Sequence, residues 1–210
     1  MDEQTGLRER KKQRTREAIS NAAIDLFFEH GFDQVSISQV ADAAEVSRRT
    51  LFAYFPAKED LVLHRVADHE TESARVIRAH PETPLSALRE HFLDGLRRRD
   101  PVTGLCDIPE VLALYRLILS TPSLVLSMLR FRESAELAVA AELGESPVLS
   151  PLAARLAAAQ IASVQWRLSM ENHYRVANGV RADDAYPGAV EAAELAFDLL
   201  THGLGTLDQR

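Results

Sequence analysis

Cysteine, glycine, proline and aromatic residues are all scarce in this chain. Its 210 residues include one cysteine, nine glycines and nine prolines, and only 6% are aromatic. The single cysteine, Cys106, excludes an internal disulfide and cannot by itself form a cysteine-based metal site. With 46% hydrophobic and 26% charged residues, the composition is that of an ordinary globular protein, which excludes intrinsic disorder and collagen. Side-chain packing must therefore hold the fold.

The chain also lacks long hydrophobic runs. No stretch approaches the roughly 18 consecutive apolar residues that a membrane-spanning helix needs. The N-terminal segment MDEQTGLRERKKQRTRE has no apolar core of the kind found in a signal peptide. We therefore expect a cytoplasmic protein that does not contact a membrane.

Runs of β-branched and aromatic residues, which mark strands, are missing as well. Alanine (30) and leucine (28) make up 58 of the 210 residues, and the sequence predicts an all-α fold. Gly31 is expected to end the first helix in a left-handed conformation. The apolar periodicity predicts an N-terminal three-helix module at 8–55 and a larger helical domain at 56–210. The expected helices are 8–30, 37–44, 48–55, 56–78, 84–99, 109–120, 122–143, 150–177 and 187–203.

The second and third helices are short, and a tight turn separates them. Ser36 or Ser38 is a candidate N-cap for the second helix, and Ser47 for the third. Ala41 falls where the two helices must approach closely, and Leu51 where a core contact is needed. This spacing is typical of a helix-turn-helix, whose second helix lies in the major groove of DNA.

The third helix begins with side chains that suit base recognition. Arg48, Arg49 and Thr50 fall on its exposed first turn. A guanidinium bonds bidentately to O6 and N7 of guanine, while threonine offers a hydroxyl and a methyl group to a base edge. The sequence leaves open which of the three contacts a base.

The charge distribution qualifies what the net charge excludes. The chain carries 24 basic and 31 acidic residues, a net charge of −7, which argues against indiscriminate coating of nucleic acid. Residues 1–65 are nearly neutral, with 10 basic and 11 acidic side chains. Within them, residues 8–16 hold six cations against one acid, Glu9, and we interpret this stretch as a phosphate-binding arm. The six cations are Arg8, Arg10, Lys11, Lys12, Arg14 and Arg16.

Three stretches, Thr15–Phe32, Val35–Ser47 and Arg48–Leu61, form a pattern that includes the sequence Tyr54-Phe55-Pro-x-Lys58. In this pattern residues 10–64 resemble the tetracycline-repressor-like (TetR) family of transcriptional regulators. The resemblance implies a compact three-helix DNA-binding module, a double-stranded DNA operator as the partner, and phosphate contacts from Tyr54 and Lys58.

One position departs from the family pattern. Glu45 lies in the turn where the family usually has glycine. A non-glycine residue in a left-handed turn costs about 1 kcal/mol, so we expect local strain without loss of the motif. The helix-turn-helix spacing, the basic arm and the family resemblance together predict DNA contacts from nine residues: Arg14, Ser36, Ser38, Ser47, Arg48, Arg49, Thr50, Tyr54 and Lys58.

The last two predicted helices each carry two apolar or small-residue faces. In helix 150–177 one face includes Leu152, Leu156, Ala159, Trp166, Met170 and Tyr174, and the other includes Ile161, Val164 and Leu168. In the last helix one face includes Val190, Ala193, Phe197, Leu200 and Leu204, and the other includes Ala192, Ala196 and Gly203. A helix buried on both sides needs two partners. The resemblance implies a homodimer through these two helices, and a two-fold dimer predicts a roughly palindromic operator.

Large apolar residues of the second domain are candidates for a ligand pocket, although the same residues could fill a helical core. Residues Arg116–Leu124 and Leu129–Arg132 also resemble a subgroup of these regulators that responds to acyl-CoA or fatty-acyl effectors. In that case Arg116, Arg130 or Arg132 would lie near phosphates or a carboxylate. Alternatively, these arginines pair with surface glutamates such as Glu133, Glu136 and Glu142. The predicted ligand contacts are Phe92, Leu96, Tyr115, Arg116, Leu119, Met128, Phe131, Trp166 and Met170.

The sequence thus predicts a dimeric, ligand-responsive transcriptional regulator, a repressor released from its operator by a small apolar or acyl-type effector. An activator of the same fold and a non-DNA interaction module are alternatives. A helical metal-dependent enzyme is a third, since His64 with Asp68 and His69 with Glu72 have helical spacing. Neither pair comes with a recognised metalloenzyme pattern, and no glycine-rich phosphate loop or nucleophile signature is present. We expect no catalytic residue, metal or cofactor.

Overall fold

The computed structural model describes residues 2–67 and 69–203, with side chains described for 10–65 and 69–203. Ten α-helices and one 3₁₀ turn, Pro101–Thr103, make up the regular structure of these residues, and they contain no strand, as the predicted all-α class requires. The helices are α1 Asp2–His30, α2 Ile37–Ala43, α3 Arg48–Tyr54, α4 Asp60–Ala67, α5 Glu72–Ala79, α6 Pro84–Arg98, α7 Pro109–Ser120, α8 Pro122–Gly144, α9 Pro151–Ala177 and α10 Ala182–His202.

The prediction of one continuous helix at 56–78 is wrong. The chain forms two helices, α4 and α5, separated by a turn that includes residues 69–71. The apolar pattern continues through this region, but the Glu72 carboxylate is bonded to His69 inside the turn, and Ala74 and Ile77 are buried on α5. Asp68, the predicted partner of His64, lies outside the described residues.

The last helix starts five residues earlier than predicted, at Ala182, and contains Pro187. Its first turn carries Asp183 and Asp184, whose negative charges interact favourably with the positive N-terminal end of the helix dipole. The amide of Ala182 donates to Oδ2 of Asp107 at 3.0 Å. These contacts stabilise a start upstream of the proline. Leu204, which was expected to extend the apolar face, lies outside the described residues.

The chain divides into two compact units. The first consists of Met1–Arg65 and Ala113–Met128. In it α1 packs on α2 and α2 on α3, and the hydroxyl of Ser20 donates to the carbonyl of Leu61 at 2.9 Å, which ties α1 to α4. The ring centroids of Phe27 and Phe32 are 4.8 Å apart. The buried apolar side chains of this unit include Ile19, Ala23, Phe27, Phe32, Val40, Leu51, Phe55 and Leu61.

The second unit consists of Val66–Leu112 and Leu129–Arg210. Here α10 packs against α6 and α9, and α5 packs against α6. Phe92 of α6 and Phe197 of α10 meet with ring centroids 6.3 Å apart in its core. Ion pairs of Arg78 with Glu142 and of Arg89 with Glu194 join helices at its surface.

Glu72 connects α5 to α6 through two histidines. Its carboxylate lies 2.7 Å from Nδ1 of His69 and 3.0 Å from Nε2 of His91. The hydrogen bonds from these histidines hold the pKa of Glu72 well below its usual range. The hydrogen bond to Glu72 raises the pKa of His91, although burial and the charge of Arg98 oppose the shift.

We predict that this contact stabilises the protein most near pH 6. The raised pKa of His91 contributes stability below about 6.5, its ordinary pKa, and that contribution is lost as the pH rises through the pKa of the folded state. The lowered pKa of Glu72 contributes above about 4.3. Glu72→Gln should lower the free energy of unfolding by about 1 kcal/mol at pH 6 and by less at pH 8 to 9, as measured by urea denaturation.

The control for this experiment is Glu90→Gln, which changes an exposed carboxylate on α6. It should show no such pH dependence. A difference between wild type and Glu72→Gln that stays constant from pH 6 to 9 would contradict the prediction.

Candidate nucleic-acid interface

Serine caps fix the beginnings of the two short helices. The Ser36 hydroxyl accepts from the amide of Gln39, and the Gln39 side chain accepts from the amide of Ser36 at 2.8 Å, which completes a capping box. The Ser47 hydroxyl accepts from the amide of Thr50 at 3.0 Å and also bonds its hydroxyl. Ser36, not the exposed Ser38, is therefore the cap of α2.

The turn between α2 and α3 has the predicted close approach. Ala41 and Leu51 are buried, and the amide of Val46 donates to the carbonyl of Ala41 at 2.9 Å. Glu45 has a φ of 53°, so the left-handed turn predicted at this residue is confirmed. Its side chain is exposed, and the positive φ is the backbone strain expected of a non-glycine residue in this turn.

One side of α3 faces outward. Arg48, Arg49, Phe52 and Ala53 are all exposed, whereas Leu51 is fully buried. Thr50 and Tyr54 lie between these extremes. The exposed side thus presents two guanidinium groups, an aromatic ring and a methyl group. Sequence reasoning missed Phe52, although its spacing of three and four residues from the arginines signals the shared face.

A basic cleft of about 650 Å³ joins α1 to α3. It is lined by Arg10, Lys12, Gln13, Arg16, Ala53 and Tyr54. Ala53 belongs both to this cleft and to the exposed side of α3, so the two are continuous. The guanidinium of Arg16 lies 5.7 Å from the ring centroid of Phe55. Three cations beside a phenol can bind a phosphate group. Arg14 is exposed on α1 and does not line the cleft, and the side chain of Arg8 lies outside the described residues.

Lys58 occupies a different environment from that expected of a phosphate contact. Its Nζ donates to the carbonyl of Phe32 and lies 4.4 Å from the Phe32 ring centroid and 5.5 Å from that of Phe27. Burial lowers the pKa of Lys58, and the charges of Asp33 and Glu59 partly oppose this. The amine thus holds the loop after α1 in place.

The nine predicted ligand contacts do not fall in one unit. Phe92, Leu96, Phe131, Trp166 and Met170 belong to the second unit, and Tyr115, Arg116, Leu119 and Met128 to the first. Phe92 and Leu96 are part of the core of the second unit, while Arg116 is exposed. None of the nine lines the basic cleft or a second, open cleft of about 470 Å³ beside α5 and α6. The second cleft is lined by Glu72, Arg75, Val76, Ala79, His80, Ala87, Glu90, His91 and Asp94.

Arg132, one of the arginines considered for an acyl effector, has partners within its unit. Its Nη2 donates to the hydroxyl of Ser163 at 3.0 Å, and its guanidinium lies 6.0 Å from the Trp166 ring centroid. Arg116 and Arg130 are exposed.

The last two helices expose several large apolar side chains. On α9 the exposed fractions of Leu152, Leu156 and Tyr174 are between 50% and 57%. On α10 the exposed fractions of Leu195 and Leu199 are 62% and 37%. The opposite sides of both helices are buried in the second unit, with Ala158, Ile161, Ala193 and Phe197 among the core residues. Sequence reasoning grouped Met170 on one face of α9 with Leu152, Leu156 and Tyr174, but Met170 is buried whereas the other three are exposed. It did not identify Leu195 or Leu199.

Among the described residues no single helix is long and apolar enough to cross a membrane. The bent pair α7 and α8 reaches the necessary length and composition only in combination.

Comparisons with known proteins relate the chain to bacterial regulators. Residues 19–64 match the family described as bacterial regulatory proteins, tetR family. Over 134 residues the chain is 35% identical to the HTH-type transcriptional regulator TcmR of Streptomyces glaucescens, covering 62% of this chain and 59% of TcmR. The chain thus spans less than two thirds of the length of this relative.

Two solved structures share the fold at low sequence identity. NalD of Pseudomonas aeruginosa, the secondary repressor of the MexAB-OprM multidrug efflux pump, superposes with a TM-score of 0.54 at 18% identity, covering 88% of this chain and 96% of NalD. The transcriptional regulator FadR from Bacillus subtilis in complex with stearoyl-CoA gives 0.51 at 20% identity, covering 90% of this chain and 98% of FadR.

We predict that Lys58 stabilises the fold through its bond to Phe32. Lys58→Met keeps the aliphatic contact with the phenylalanine rings and removes the amine, so it should lower the free energy of unfolding by about 1–2 kcal/mol in urea denaturation. Lys11→Met, which changes an exposed lysine on α1, should leave it unchanged. Equal stability of the two variants would show that the amine contributes nothing.

Proposed function

We propose that the protein is a DNA-binding transcriptional regulator of the cytoplasm, whose N-terminal module, matched over residues 19–64, is of the tetR family of bacterial regulatory proteins. The observation that carries the proposal is the continuity of the basic cleft with the exposed side of α3. Ala53 lines both, so side chains that suit phosphates and side chains that suit base edges share one surface. The similarity to TcmR over 134 residues supports the same role.

Two kinds of contact divide the work on this surface. Arg10, Lys12 and Arg16 line the cleft with Tyr54 and bind backbone phosphates, which fix position and add salt-dependent affinity. Arg48 and Arg49 project from α3 into the major groove and bind base edges there. We propose Arg14, Ser38 and Thr50 as further contacts. Ser36 and Ser47 act first as helix caps, which place α2 and α3 for binding.

We further propose that the protein is a homodimer through α9 and α10. The exposed leucines Leu152 and Leu156 on α9 and Leu195 and Leu199 on α10 leave apolar area in water that a second copy would cover. In a two-fold dimer both copies contribute the same surface to the interface, so the dimer brings together two DNA-binding modules. Its operator is then a palindrome with two half-sites.

The effector we propose is a small apolar or acyl-type molecule, an acyl-CoA or a fatty acid, whose binding releases a repressor from its operator. Support comes from the resemblance of residues Arg116–Leu124 and Leu129–Arg132 to acyl-responsive regulators and from the shared fold of a regulator crystallised with stearoyl-CoA. Mass spectrometry of small molecules that co-purify with the native protein tests the effector class.

Transcription in vitro from a template with the operator separates a repressor, which lowers transcript yield, from the alternative, an activator, which raises it.

Mutations in the two kinds of contact should have different effects on affinity. On an operator selected from random DNA, Arg49→Ala should weaken specific binding by about 1–3 kcal/mol and leave binding to random DNA nearly unchanged. Lys12→Gln should weaken binding to both DNAs alike and reduce the salt slope by about one. Fluorescence anisotropy at several salt concentrations measures both effects.

The matched control is Arg75→Ala, which removes an exposed arginine from α5 in the other unit. It should leave both affinities unchanged. If Arg49→Ala, like Lys12→Gln, weakened binding to operator and random DNA equally, the division of roles would be wrong.

The dimer proposal predicts a specific sensitivity to charge on α10. Leu195→Glu places a carboxylate on the proposed interface and should raise the dimer dissociation constant at least tenfold, because burying an unpaired charge is costly. Leu137→Glu on α8 is the control, since the exposed fractions of Leu137 and Leu195 are 60% and 62%. Sedimentation equilibrium measures the dimer dissociation constants of the two variants. If both variants dissociate, or neither does, the proposed α9–α10 interface is wrong.

A further inference from the structure

The exposed ring of Phe52 is not explained by base recognition through arginine alone. Its exposed fraction is 43%, on a helix whose opposite residue, Leu51, is fully buried. It lies four residues after Arg48 and three after Arg49, and residues at these spacings are neighbours on a helix surface. Ala53, also exposed, adds a methyl group beside it. The face that carries two cations therefore has an apolar half.

An apolar group on a major-groove surface has a defined chemical partner. The C5-methyl of thymine is the apolar feature that a base pair presents in the major groove, and side chains such as alanine and phenylalanine contact it. We propose that Phe52, with Ala53 beside it, recognises a thymine methyl group, an inference that rests on the DNA-binding function proposed above. Phe52 is then a specificity-determining residue of α3.

The helix geometry limits where that thymine lies. Residues three and four apart along a helix are separated by about 4.5–6 Å along its axis. Successive base pairs are about 3.4 Å apart. The thymine contacted by Phe52 therefore lies within a few base pairs of the base contacted by Arg48 or Arg49.

The test removes the methyl group alone. The full-length protein first selects its operator from random DNA, and each thymine of a half-site is then replaced by deoxyuridine, which lacks the C5-methyl. For the wild type, one position should weaken binding about fourfold per half-site, the ratio that corresponds to one buried methyl-sized group. For Phe52→Ala, binding to the thymine operator should weaken by a similar or larger factor, and deoxyuridine at that position should cause no further loss.

Phe28→Ala is a closely matched control, because Phe28 has the same exposed fraction, 43%, but lies on α1. It should retain the full sensitivity to deoxyuridine. If deoxyuridine has no effect at any position, or the same effect on Phe52→Ala as on wild type, the inference is wrong. If no specific operator is selected at all, the proposed function itself fails, which is a different result.

Discussion

Burial of the inner side of α3 is the constraint on which the DNA-binding surface depends. The helix has seven residues, too few to be stable in water by itself. Leu51 is fully buried and Phe55, just after the helix, is 1% exposed, so packing on the first unit holds α3 in position. The Ser47 cap satisfies the amide of Thr50 at its start. Arg48, Arg49 and Phe52 can face outward together only because this inner side is anchored.

Local patterns in the sequence predicted most of this module, and contacts between distant residues account for what they missed. Short-range signals identified the caps and the close approach at Ala41, and the family resemblance placed the left-handed turn at Glu45. The position of Lys58 depends on the carbonyl of Phe32, 26 residues away, and no periodicity reports such a bond. At the break between α4 and α5, Glu72 begins α5 and pairs with His91 of α6. These contacts appear only when the helices are packed.

The ligand prediction was limited for a different reason. Large apolar side chains suit a pocket and a core equally well, and the sequence does not separate the two uses. Phe92 packs against Phe197 in the core of the second unit, while Met128 is buried in the first. A periodic pattern shows that a helix has an apolar side. It cannot show whether a neighbouring helix or a bound molecule covers that side.

The net charge of −7 limits how much of the affinity for DNA can come from charge, and so gives weight to the apolar residues of the α3 surface. Residues 1–65 are almost neutral, so long-range attraction cannot supply most of the affinity for DNA, and the cations of α1 act only at short range. Their contribution falls as salt rises, because it comes from the release of counterions. Contact between the Phe52 ring and a methyl group involves no ions and should persist at high salt. As salt increases, the apolar contact of Phe52 therefore makes up a growing share of the remaining affinity.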